Sequence, residues 1–132
     1  MKYLVDTNIL IYLMNSKSAR VAGKFTSHHN KDFGVSAITV AELIFGAKKS
    51  QHVNKNLNAV IKILSPFTIL DFDSMDAMAY GDIRADLGSK GCIIGANDLL
   101  MAAQAVRRQL IMLTVNTREF ERVEGLRAEN WV

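Results

Sequence analysis

Four separated stretches carry acids in places that a purely structural role does not demand. They are YLVDTNIL with Asp6, TVAELIFG with Glu42, GANDLLMAA with Asp98, and LTVNTREFERV with Asn116 and Glu119. In each, the acid borders or interrupts an apolar run, and a charge taken from water there needs a partner, a capping role or a metal. If the chain folds so that these acids meet, they repel one another and take up protons unless a cation sits among them. An all-oxygen donor set selects Mg²⁺ or Mn²⁺ rather than zinc. The histidines offer no alternative, since His28 and His29 are adjacent in a polar stretch and His52 is isolated. A carboxylate-held divalent ion polarises a phosphate, acidifies a bound water and neutralises the leaving oxygen, the requirements of phosphodiester hydrolysis.

Each acid also has an ordinary explanation. Thr39 and Glu42 have the spacing of a capping box, although Ser36 is the better N-cap and leaves Glu42 about two turns into its helix. Asn97 or Asp98 is a favoured N-cap for the apolar helix that follows. Asn116 suits a turn, and Glu119 suits the first turn of a helix. A non-catalytic binding module whose acids are all caps is therefore the competing reading. The denser run DFDSMD, with Asp71, Asp73 and Asp76, reads as a solvated helix start. It lacks the glycine and distal glutamate of a calcium loop. The pairs Lys48/Lys49 and Arg107/Arg108 read as cations closing helices.

The elements that must position these acids follow from hydrophobic periodicity. Short strands are expected over 3–5, 33–36, 67–72 and 110–114, with a fifth within 126–131. Helices are expected over 7–15, 20–28, 37–49, 51–64, 74–90 and 99–108. Short apolar strands alternating with longer helices imply an α/β fold, a parallel sheet of four to five strands covered on both faces. Function in such sheets gathers at the carboxyl ends of the strands. Asp6, Glu42, Asp98 and the Asn116/Glu119 segment all fall at strand-to-helix junctions.

At 132 residues the chain is expected to form one domain, 1–132, burying roughly two thirds of its unfolded surface. A lone cysteine, Cys92, excludes an internal disulfide and a thiolate metal site. With no signal layout and no apolar run of bilayer length, the expectation is a soluble, cytoplasmic protein with no membrane contact. The net charge of +3 is unevenly spread. Residues 1–66 hold nine Lys/Arg against three acids, and residues 67–132 hold seven against ten. A basic half permits a polyanionic partner.

Together these motifs, LVDTNILIYL, VSAITVAELIFGA, GANDLLMAAQA and LTVNTREFERVEGL with the closing ENW, closely resemble the PIN domain family and, within it, the VapC toxins of bacterial toxin-antitoxin pairs. The resemblance covers nearly the whole chain. It implies a PIN-like three-layer sandwich and a metal-dependent endoribonuclease, with Mg²⁺ or Mn²⁺ as cofactor. It also implies a homodimer, held inactive by a VapB-type antitoxin and meeting operator DNA only through that complex. The implied substrate is RNA, with tRNA cut in the anticodon loop as the leading candidate and inhibited translation as the outcome. A non-toxin RNA-processing PIN nuclease is the alternative within the family.

On the family pattern, Asp6, Glu42 and Asp98 match the acidic metal-binding triad. Asn116 stands where many members carry aspartate, with Glu119 the nearby acid, which leaves a second metal open. Thr7, Asn8, Ser36 and Thr114 match polar positions that orient ligands or water. Asp6 and Asp98 would bind the cation directly, and Glu42 directly or through water, with Glu42 also the candidate base for the attacking water. Lys24, Lys48, Lys49 and Lys55 are candidates for gripping phosphates. Other folds with an aspartate after the first strand fit less well. Haloacid-dehalogenase-type phosphotransfer needs an acid where Asn8 stands, and a receiver domain wants a lysine where Thr114 stands.

Overall fold

A computed structural model describes residues 1–15 and 18–132. The chain runs β1 (Tyr3–Val5), α1 (Thr7–Asn15), α2 (Ala19–Thr26), a 3₁₀ turn (Asn30–Asp32), β2 (Phe33–Ser36), α3 (Ala37–Lys48) and α4 (Val53–Leu64). It continues through β3 (Thr68–Leu70), α5 (Ser74–Ser89), α6 (Ala96–Arg108), β4 (Ile111–Leu113), α7 (Thr117–Phe120) and β5 (Ala128–Glu129). All five strands lie parallel in the order β3-β2-β1-β4-β5. The expected α/β sandwich is present, and element ends differ from expectation mainly in α6. That helix starts at Ala96 rather than Leu99, which moves Asp98 from the cap into the first turn.

This strand order has a physical consequence for function. After β1 the chain builds outward through β2 and β3, then crosses to the other side of β1 to lay down β4 and β5. The carboxyl ends of β1 and β4 therefore flank the point where the winding reverses, and an open α/β sheet has its natural crevice there. Asp6 directly follows β1, and its backbone N–H donates to the Leu113 carbonyl of β4 at 2.8 Å.

Side chains alternate along the strands and divide the core in two. Leu4 and Met112 face one side, where α5, α6 and α7 contribute Leu87, Met101, Ala102 and Phe120. Tyr3, Val5, Ile111 and Leu113 face the other, packing on Ile9, Leu10, Leu43 and Val60 from α1, α3 and α4. Gly34 in β2 lets two side chains close over the strand, since a Cβ there would stand 2.6 Å from the Met1 sulfur and 3.0 Å from a Leu70 methyl and would push both aside. Tyr3, Phe25, His28, Phe33 and Trp131 form an aromatic cluster at the starts of β1 and β2, with ring centroids 5.0–5.9 Å apart.

The DFDSMD run departs from its expected role. Asp73 does cap α5 in a reciprocal capping box with Asp76. Asp76, however, is completely buried, and it accepts from Arg107 Nε at 2.9 Å and Arg108 Nη2 at 3.2 Å. Arg107 also reaches Asp73 at 2.6 Å. The acids, read in sequence as a solvated helix start, and the basic pair, read as cations closing a helix, are one ionic clamp joining the start of α5 to the end of α6. The helix period hid it because the partners are 31 or more residues apart.

Removing one partner of such a clamp strands the other charges. Asp76→Ala is expected to destabilise the fold by about 3 kcal/mol, read from the midpoint of urea unfolding. A loss below about 1 kcal/mol would show that the clamp is dispensable.

Candidate active site

The crevice at the ends of β1 and β4 is assembled from four elements. Asp6 is 3% exposed at the mouth of β1. Two donors hold its carboxylate: the Thr7 backbone N–H on Oδ1 at 2.7 Å, and the Thr114 hydroxyl, at the end of β4, on Oδ2 at 2.7 Å. Burial pushes the Asp6 carboxyl above the ordinary aspartate range. The Thr114 and Thr7 bonds oppose that rise, and the charges of Glu42 and Glu119 add to it. The answer to why an aspartate follows a buried strand is thus that the crevice supplies it with two donors and acidic neighbours.

Glu42 arrives from the second turn of α3. Ser36 caps that helix, its hydroxyl accepting from the Ile38 N–H at 3.0 Å, so Glu42 has no capping role. Its Oε1 accepts instead from the Thr7 hydroxyl at 2.6 Å, and Thr7 Oγ1 lies 3.0 Å from the hydroxyl of fully buried Thr39. Thr7 thereby ties the first residues of α1 to α3. Sequence reasoning missed Thr39 as part of this network and treated it only as a rejected cap. Its spacing of three before Glu42, which puts both on one face of α3, was the available signal.

Asp98 and Glu119 complete the group. Asp98, half-buried in the first turn of α6, is raised to about 7. Burial is the largest cause, followed by the charge of Glu119 and a hydrogen bond with it, then by the charges of Asp6 and Glu42. Glu119 Oε1 accepts from the backbone N–H of Gly95 at 3.0 Å. A Cβ on Gly95 would stand 3.3 Å from Asp98 Oδ2, so the glycine leaves room for the two carboxyls. Gly95 was not among the residues singled out from the sequence, since a backbone donor leaves no side-chain signal.

The four acids Asp6, Glu42, Asp98 and Glu119 are therefore within electrostatic reach of one another. The remaining polar candidates divide. Thr7 and Thr114 contact the carboxylates directly. Asn116 is exposed, and its backbone N–H donates to Thr114 Oγ1 at 3.0 Å. Asn8 is exposed in the first turn of α1, and the Ser36 hydroxyl is engaged in capping.

The candidate lysines lie away from the crevice. Lys48 and Lys49 close α3 about 18 Å of helix from Ser36, and Lys55 lies further on, in the first turn of α4. Lys24 is in the last turn of α2, beside Phe25, which stacks on Phe33 at the opposite edge of the sheet.

Among the described residues, no three His, Cys, Asp or Glu side chains stand at ready metal-ligand spacing. The donor set nonetheless fits a divalent cation. It consists of hard oxygens crowded so that burial, and after it the neighbouring carboxylates, raise Asp98, and a bound cation would offset the charge repulsion among them. Asp6, Glu42 and Asp98 would hold it, with Glu119 beside them on the Gly95 N–H.

The comparisons with known proteins point the same way as this geometry. The PIN domain model matches residues 3–126. The chain is 43% identical to "Ribonuclease VapC2" of Haemophilus influenzae over 132 residues, covering 100% of this chain and 99% of that protein. It is 42% identical to "tRNA(fMet)-specific endonuclease VapC" of Shigella flexneri over 131 residues, covering 99% and 98%. The fold superposes on the DNA-bound VapBC crystal structure from Salmonella typhimurium with a TM-score of 0.95 at 37% identity, covering 100% of this chain and 99% of that chain. It superposes on VapBC2 from Rickettsia felis, bound to a promoter DNA fragment, with a TM-score of 0.94 at 34% identity over the whole of both chains.

Two outcomes test the electrostatics of the crevice. A carboxyl whose folded pKa is raised is protonated in the folded chain and ionised in the unfolded chain between pH 3.8 and about 7. Asp98 thus favours folding below that window and loses its contribution as pH rises through about 7. In cation-free buffer the urea midpoint should fall across that range, and Asp98→Asn should flatten the fall. Thr114→Val, which removes a hydroxyl at nearly constant volume, should move the Asp6 titration, followed by carboxyl NMR, to higher pH.

Proposed function

Because the chain belongs to the PIN domain family, and within it to the VapC ribonucleases, we propose that it is a Mg²⁺- or Mn²⁺-dependent endoribonuclease acting as the toxin of a toxin-antitoxin pair. The observation that carries the metal dependence is the like-charge crowding of Asp6, Glu42, Asp98 and Glu119 at one sheet crevice. When bound, a divalent cation acidifies a water and neutralises charge on the phosphate. Asp6, fixed by Thr7 and Thr114, and Asp98, at the start of α6, are the residues that would hold it.

Glu42 has a different task open to it. Thr7 occupies its Oε1 and sets the plane of the carboxylate. The other oxygen can then hold the cation or accept the proton of the attacking water. Asp98, raised to about 7 chiefly by burial, would have to give up its proton to hold a cation. Affinity for the ion therefore rises with pH.

The substrate reading follows the relatives. The Shigella flexneri protein is named a tRNA(fMet)-specific endonuclease, and tRNA cut in the anticodon loop is the substrate we propose here. The VapBC complexes from Salmonella typhimurium and Rickettsia felis support a VapB-type antitoxin as partner, with operator DNA reached only through that complex. We further propose a homodimer working in the cytoplasm.

Cleavage of a tRNA transcript should require added Mg²⁺ or Mn²⁺ and stop with EDTA. Asp6→Asn, Glu42→Gln and Asp98→Asn should each lower the rate at least about 100-fold with circular dichroism unchanged. Equal cleavage in EDTA would rule out the metal mechanism. Substitutions that alter only stability would leave the acids as caps in a binding module.

A further inference from the structure

A crevice of four acids repels the RNA it is proposed to cut, so positive charge must stand beside it. Among the described residues, the cations near the crevice are few once internal pairs are removed. Arg107 and Arg108 are bound to Asp73 and Asp76, and Lys90 to Asp86. The lysines of α2, α3 and α4 lie away from the crevice, as described above. Arg118 and Arg122 differ in position and in partners. Both are exposed and flank Glu119 in sequence. Helix α7 ends at Phe120 and the chain continues in a tighter turn, with Glu121 N–H donating to the Thr117 carbonyl at 2.9 Å and Arg122 N–H to the Glu119 carbonyl at 3.3 Å.

Among the described residues Arg118 makes no ion pair, although Glu119 and Glu121 are its close neighbours in sequence. Arg122 reaches only the Ile93 carbonyl, at 3.4 Å, in the loop that leads to Gly95 and Asp98. The two guanidinium groups line a polar depression of about 450 Å³ together with Val115, Asn116, Thr117 and Glu119. Glu119 belongs to this depression and to the crevice alike, so a strand lying across one reaches the other. Planar guanidinium forks suit phosphate oxygens, and half-exposed Val115 offers an apolar wall for a sugar or base.

We propose that Arg118 and Arg122 form a phosphate-binding subsite for the RNA strand, gripping a backbone phosphate adjacent to the one cut. The inference rests on the ribonuclease reading for the identity of the polyanion. It makes the two arginines positioning residues, which hold the strand and take no part in bond breaking.

The test measures binding and turnover separately. In the Asp98→Asn background, the affinity of the full chain for a fluorescently labelled tRNA transcript is followed by anisotropy across a KCl series at fixed Mg²⁺. Arg118→Ala and Arg122→Ala should each weaken binding about tenfold and reduce the slope of log affinity against log salt by about 0.7–0.9. Arg118→Lys should keep the slope and recover part of the affinity. Arg84→Ala, which removes the same charge from α5, should change neither. In the otherwise native chain the alanine variants should raise KM about tenfold and leave kcat within about threefold.

Unchanged affinity and slope in both alanine variants would overturn the subsite, and the ribonuclease reading would stand if the native chain cleaved the transcript. A native chain that bound RNA through these arginines but never cleaved it would sink that reading and keep the subsite. A fall in kcat with KM unchanged would also overturn the inference, since it would place the arginines in the chemical step.

Discussion

Like charges held at close quarters govern how the carboxyl edge of this sheet is built. Asp6 is forced into the crevice by its place at the end of the central strand, and everything around it limits the resulting cost. One oxygen takes a backbone N–H from Thr7, and the other takes the hydroxyl of Thr114 across the winding reversal. The same Thr7 reaches out with its own hydroxyl to orient Glu42. On the far side, Gly95 offers its N–H to Glu119, and Glu119 in turn shares a hydrogen bond with Asp98. The donors fix where the carboxyls stand, and the residual repulsion is what a proton or a divalent cation must offset.

The ionic clamp of α5 and α6 solves a related problem differently. Asp76 is more deeply buried than any acid of the crevice, yet two guanidinium groups meet it and Asp73 shares the load. Charge there is balanced inside the protein, and the result is structural. In the crevice no arginine or lysine among the described residues pairs with the acids, so the deficit remains available to something brought from outside. Buried acids with internal counter-ions and buried acids without them thus mark two different kinds of site in one small fold.

Much of this was legible in the sequence because the relevant signals are local. Strands such as Tyr3–Val5 and Phe33–Ser36 appear as short apolar runs, and the acids stand at their ends, where a parallel sheet collects them. Rejecting Thr39 and Glu42 as a capping box also depended on local evidence, namely that Ser36 is the better cap. What was not legible depends on distance or on the backbone. Asp76 was misread because its partners are more than thirty residues away, and Gly95 was overlooked because its contribution is an N–H. The start of α6 was placed three residues late, since Asp98 is as good a cap as it is a first-turn acid. The lysines were chosen by charge alone, and charge does not say which edge of the sheet a helix end reaches.

The bond between Thr114 and Asp6 closes a loop of 108 residues. The chain must therefore be made through Thr114 before β4 can dock beside β1, and Glu119 and β5 follow later still. Long-range closure of this kind is slow relative to local helix formation. Whatever chemistry the crevice performs is thus withheld from a nascent chain that stops short of Glu119.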